Sequence, residues 1–216
     1  MSILTWKMRI CRPCIGLIMD PLAFFIPCGQ DTLSDKRIYV LTSYESFDEL
    51  ASLDEKLSDD SQYQEAGASY INAAHDNPTF REIETILLRA FSHAPQLMNS
   101  GLEAPKTERI YELRSYESAT EAQNINKVEM FNEGGEVELF DKLNFNAIFY
   151  GNVIAGSDMP NLIYMVSFED MEARDNHWSN FSNAPAWKEL SSMEKYQNNV
   201  SHIDNYFLRA TEYSDL

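Results

Sequence analysis

Apolar positions along this chain recur with a period near two in some stretches and near 3.6 in others, and the changes of period mark out its elements. Residues 37–45 (Arg-Ile-Tyr-Val-Leu-Thr-Ser-Tyr-Glu) have the β-branched and aromatic content of a strand. Ser46 followed three residues later by Glu49 is a capping box, and Leu50, Leu53 and Leu57 then fall at helical spacing. Asp59-Asp60-Ser61 ends that helix, and a shorter piece carries Tyr63, Ala66 and Tyr70 on one side. After the Asn77-Pro78 turn, Phe80 to Phe91 reads as a strand, and residues 92–108, with Pro95, Gly101 and Pro105, as a linker. From Arg109 the pattern is clearest. A strand over 109–117 precedes a helix over 120–143 with Val128, Phe131, Val137 and Phe140 on one face and a weak point at Gly134-Gly135. Strands over 146–154 and 162–168 flank a hairpin turn. Met171, Trp178 and Phe181 mark the next helix, Pro185 opens another that carries Trp187 and Leu190, and residues 201–210 close the series as a strand.

Two internal likenesses organise these elements. Residues 37–46 and 109–118 agree at eight of ten positions, but nothing downstream keeps that register. The longer match pairs Ile38 to Glu45 with Ile163 to Asp170, and Ile83 to Ala90 with Ile203 to Ala210. Residues 37–91 therefore correspond to the second half of 109–210. Strand–helix–strand twice over is the βαββαβ ferredoxin-like plan. The fold class expected is α+β, ferredoxin-like, of the dimeric α/β-barrel type, with one complete domain plus a half domain. The division is a leader over 1–36, a partial βαβ half domain over 37–91, a linker over 92–108 and a complete domain over 109–213. Unpaired sheet edges in the incomplete unit call for a partner.

Charge narrows the partners. The net charge of −17 disfavours nucleic acid, because like charge repels at long range. No apolar run reaches the roughly 18 residues needed to span a bilayer. Lys7, Arg9 and Arg12 before the apolar run Ile15 to Ile26 resemble an export signal, but Asp20-Pro21 interrupts the run and Pro27 spoils cleavage near Cys28, so a cytoplasmic location is favoured over export. Cys11 and Cys14 have the spacing of half a zinc site, with no matching Cys/His pair downstream.

Tyr111-Glu-Leu-Arg-Ser-Tyr116, Ala147-Ile-Phe-Tyr-Gly151, Trp178-x-x-Phe181 and Pro185-x-Trp187 together resemble a NIPSNAP domain. The resemblance covers about half the chain, with 37–91 similar to the back half of an upstream copy. It implies a ferredoxin-like domain that pairs with another into an α/β barrel, within one chain or between two. It brings no agreed catalytic residues.

Candidate chemistry is thin. Glu112 and Arg114 share a strand face with Tyr116, and a polar face is expected to meet the barrel interior or solvent rather than helices. Arg114 could grip an anionic small molecule there, or Glu112 and Arg114 could simply fix register. His202 and Asp204 share a face of the last strand, where a histidine near Glu112 or Tyr150 could act in proton transfer. The candidate barrel-interior site is thus Glu112, Arg114, Tyr116, Tyr150, His202 and Asp204. His177 is expected in solvent, Arg174 beside an aromatic ring or the last strand, and Glu129, Glu133 and Glu136 on a solvated face. No phosphate loop, nucleophile elbow or two-histidine metal motif is present, and neither a metal nor a cofactor is expected. The function expected is a non-catalytic module that self-associates and binds proteins; the alternative is small-molecule binding or cofactor-free oxygenase-like chemistry in the barrel.

Overall fold

A computed structural model of the 216-residue chain describes residues 2–5, 21–29 and 36–216. Cys11 and Cys14 lie outside the described residues. Eight strands are described: β1 (Ser2–Thr5), β2 (Leu22–Pro27), β3 (Tyr39–Thr42), β4 (Glu84–Ala90), β5 (Ile110–Glu117), β6 (Ala147–Ala155), β7 (Asn161–Phe168) and β8 (His202–Ala210). They close into a barrel in the order β1-β3-β2-β8-β5-β7-β6-β4, with every pairing antiparallel.

The C-terminal unit is the ferredoxin-like plan in full. β5 lies between β7 and β8, with Glu112 opposite Val166 on one side and Phe207 on the other. The helices are α5 (Glu121–Phe131), α6 (Glu136–Lys142), α7 (Met171–Asn183) and α8 (Pro185–Ser192). The single helix expected over 120–143 is two, because Gly135 takes a left-handed φ of 86° and starts α6 afresh. Thr120 and Asp170 cap α5 and α7 by accepting from the backbone N–H three residues on. Pro185 occupies the first turn of α8.

The segment 37–91, expected as a half unit, forms β3, four short helices and β4. These helices are α1 (Phe47–Ala51), α2 (Leu53–Asp59), α3 (Ser61–Ala66) and α4 (Ala68–Ile71). Ser46 caps α1, accepting from the Glu49 N–H at 3.2 Å. Two strands then join from upstream. The leader expected over 1–36 is corrected in part by β2, whose residues Leu22 to Phe25 are all buried. Strand order β4-β1-β3-β2 in this unit repeats the order β8-β5-β7-β6 of the other. A strand covered on both faces reads as a continuous apolar run, and in sequence that is the mark of a signal segment as much as of a strand.

The two units pair edge to edge within one chain. β2 meets β8 through Phe25 to Pro27, and β4 meets β6 through Leu87 to Ala90 with a bulge after Leu87. Residues following β8 add to the seam: the Leu22 N–H donates to Asp215 and the Phe24 N–H to Ser214 Oγ. Gly151 sits where β6 faces Ala90, and a Cβ there would lie 2.9 Å from Leu88 Cβ, so only glycine allows that approach.

Three main apolar layers result, the third of them, between the N-terminal sheet and its helices, formed by Leu22, Phe24, Val40, Leu57 and Tyr63. Inside the barrel lie Phe25, Tyr39, Leu41, Leu88, Tyr111, Leu113, Phe149, Met165 and Leu208. Between the C-terminal sheet and its helices lie Tyr116, Phe131, Phe140, Phe145, Tyr150, Tyr164, Phe168 and Phe181. The segment expected as a linker over 92–108 takes part, since Ala94 and Met98 pack into this second layer.

Candidate functional site

The sheet divides the six residues expected to share one site. Side chains alternate along β5, so Tyr111, Leu113, Ser115 and Glu117 point to the barrel and Glu112, Arg114 and Tyr116 point to the helices. His202 stands opposite Glu117 and Asp204 opposite Ser115, on the barrel side. Tyr150 packs against Phe131 and Phe140, on the helix side. The expectation that a polar face could not be the helix-packing face is corrected here. The helices bring their own polar groups, and these neutralise the charges from β5.

Glu112 is the centre of that arrangement, with none of its surface exposed. Its carboxylate accepts five hydrogen bonds: Arg114 Nη1 at 2.6 Å, Arg174 Nε at 2.8 Å and Nη2 at 2.9 Å, Trp178 Nε1 at 2.8 Å and Asn205 Nδ2 at 2.8 Å. The donors come from β5 itself, from α7 and from β8, so one side chain ties three elements together. Burial alone would lift the carboxyl pKa. Arg174, the Trp178 indole and Arg114 outweigh it and hold the group below the ordinary glutamate range. Both guanidinium groups lie against Trp178, with Arg114 at 4.6 Å and Arg174 at 5.8 Å from the ring centre.

From Arg114 the polar contacts continue inward. Its Nε donates to Tyr116 Oη at 3.3 Å, and Tyr116 Oη and Tyr164 Oη lie 2.9 Å apart. Burial pushes the Tyr164 and Tyr150 hydroxyls well above the usual tyrosine range, so both stay protonated. A second buried pair lies between α5 and α6, where Lys127 Nζ donates to Glu136 Oε2 at 2.8 Å and faces the Phe131 ring at 4.7 Å. Glu136 is therefore not on a solvated face. Its burial raises the carboxyl pKa against the pull of Lys127. His177 is half-buried, its Nδ1 2.7 Å from the Ala173 carbonyl and its ring against Phe145 and Phe168. Asn205 is a partner of Glu112 that the sequence did not single out; Trp178 was legible as a core-stripe residue of its helix, but not as a donor to Glu112.

At the barrel end formed by the last residue of β5 and the first of β8, Glu117, His202 and Asp204 come together, with their potential donor atoms within 4.8 Å of one another. His202 Nε2 is 3.4 Å from Asp204 Oδ1. This group is cut off from Glu112 by the thickness of the sheet, so no proton path of the kind expected between His202 and Glu112 or Tyr150 is formed.

An antiparallel α/β barrel built from two four-stranded units, with the polar network lodged between sheet and helices, defines the class. Residues 111–215 match the NIPSNAP family model, so the C-terminal unit carries a NIPSNAP domain. A protein of Fusobacterium nucleatum subsp. nucleatum ATCC 25586, provisionally described as a monooxygenase, superposes at a TM-score of 0.55 with 9% identity, over 97% of this chain and 90% of its own. One from Lactobacillus acidophilus NCFM with the same provisional description superposes at 0.54 with 12% identity, over 97% and 92%. An uncharacterized NIPSNAP-like domain protein of Burkholderia xenovorans aligns with 51% of this chain and 91% of its own, at 19% identity and a TM-score of 0.44. No curated protein sequence matches the chain. The two longer superpositions show that the fold spans both units. No described helix is long and apolar enough to cross a membrane.

Proposed function

We propose that this NIPSNAP-domain protein is a non-catalytic interaction module whose two units have paired with each other, leaving its outer surface for protein partners. The observation that carries this reading is the filled barrel: Phe25, Tyr39, Leu41, Tyr111, Leu113, Phe149, Met165 and Leu208, contributed by six strands, are all buried against one another. A small-molecule site needs a concave space with a few convergent polar groups. The polar candidates Glu112, Arg114, Tyr116 and Tyr150 lie on the other side of the sheet. There Glu112 is saturated by protein donors, which supports a structural role for the pair. The provisional monooxygenase descriptions of the two superposed proteins favour the second reading, cofactor-free oxygenase-like chemistry, and likeness of fold alone does not carry a reaction over.

A metabolite-library thermal-shift screen on the full chain, with Arg114→Ala beside it, separates the two. The interaction reading expects no compound to raise the melting temperature of the wild type. Light scattering should find a monomer, because both sheet edges of each unit are already used inside the chain. A compound that stabilises the wild type and is consumed in the presence of dioxygen would replace this reading with the oxygenase one.

A further inference from the structure

The geometry points to a binding site for a first-row divalent cation at one mouth of the barrel, with Glu117, His202 and Asp204 as its protein ligands. The three come from two adjacent strands in fixed register, Glu117 facing His202 and Ser115 facing Asp204, and all lie on the barrel side of the sheet. A metal with bonds of about 2.0–2.2 Å to nitrogen and oxygen draws its ligand atoms to roughly 3–4 Å from one another. The donor atoms here already lie within 4.8 Å, so small side-chain rotations complete the set without moving the backbone.

A second, independent observation lies in the next strand. Asn161 faces Glu117 across the β5–β7 ladder, on the same side of the sheet. It is only 1% exposed; its Nδ2 donates to Ser115 Oγ at 3.0 Å, and its Oδ1 is buried without a hydrogen-bond donor. A buried amide oxygen left without a donor is costly, and a cation or a cation-bound water beside Glu117 would satisfy it. His202 is 60% exposed, so the remaining coordination positions open to water. Two carboxylates and one imidazole suit manganese(II) or zinc(II) rather than a thiophilic metal.

Manganese(II) is the probe of choice, because Cys11, Cys14 and Cys28 compete poorly for it. Full-length protein freed of metal by chelation is titrated with Mn2+, and loss of the free-ion electron paramagnetic resonance signal reports binding. One ion per chain is expected. His202→Ala and Asp204→Asn should each weaken it by about tenfold or more, while Glu138→Gln, at an exposed position of α6, leaves it unchanged. Proton spectra of the wild type give a readout that needs no variant: of His75, His93, His177 and His202, the imidazole of His202 should broaden first. Absence of binding at millimolar Mn2+, wild-type affinity in both site variants, or broadening of another histidine first would each overturn the assignment.

Discussion

Replacing Glu112 by glutamine keeps the shape of the side chain and removes its charge, so it isolates what the carboxylate does between β5, α7 and β8. In the wild type two guanidinium groups, one indole N–H and one amide converge on it. Glutamine offers one acceptor oxygen and turns an NH2 toward donors, so at least two N–H groups lose their partner and two cations lose their counter-ion. Removing one member of a buried ion pair costs about 3–5 kcal/mol. Arg114 and Arg174 are 13% and 20% exposed and regain some hydration, which places the expected loss near the lower end, about 3 kcal/mol. For a chain of this size that corresponds to a melting temperature lower by about 6–12 °C. Urea unfolding followed by circular dichroism at neutral pH measures it directly. The same variant has a pH signature. The folded-state pKa of Glu112 lies below its ordinary value of 4.5, so its stabilisation is complete above that value and is lost as pH falls through the lower folded value. Wild type and variant should therefore converge in stability on acidification. A Glu112→Gln protein within 1 kcal/mol of wild type at neutral pH, or a gap that persists unchanged in acid, would refute the reasoning.

The buried pair between α5 and α6 should show strong coupling. Lys127→Met alone leaves Glu136 without its cation and is expected to cost about 3 kcal/mol, whereas adding Glu136→Gln recovers part of that loss in a double-mutant cycle by denaturant. Gly151→Val forces a side chain against Leu88 where β6 meets β4; thermal unfolding should show a loss of about 1–3 kcal/mol, with amide exchange accelerated along that seam. Gly134→Ala, whose Cβ would meet the Met130 carbonyl at 2.4 Å, should destabilise more than Gly135→Ala, whose penalty is the left-handed φ alone, about 1 kcal/mol. Tyr116→Phe strands the Tyr164 hydroxyl in the helix-facing layer and should cost about 1–2 kcal/mol by equilibrium unfolding, with the oligomeric state unchanged.

What the sequence by itself determined was local. Period-two runs placed β3 to β8, helical spacing placed α5 and α7, Ser46 marked the start of α1, and Gly134-Gly135 marked a weak point in what reads as one long helix. These signals survive because strands, caps and glycine conformations depend on neighbours in the chain. The order in which β5 lies between β7 and β8 was also legible, since the βαββαβ series admits few topologies. Tertiary structure alone decided three things. It recruited β2 from a segment whose apolar run is equally suited to a signal, because burial on both faces erases the alternation that names a strand. It chose the helix side of β5 for Glu112 and Arg114, because alternation says which residues share a face but not what covers it. The covering groups, Arg174 and Trp178, lie some sixty residues away in the chain and supply the charge and hydrogen bonds that let polar side chains be buried there. It also set Glu117 beside His202, since strand register across 85 residues is fixed by packing and not by any local pattern.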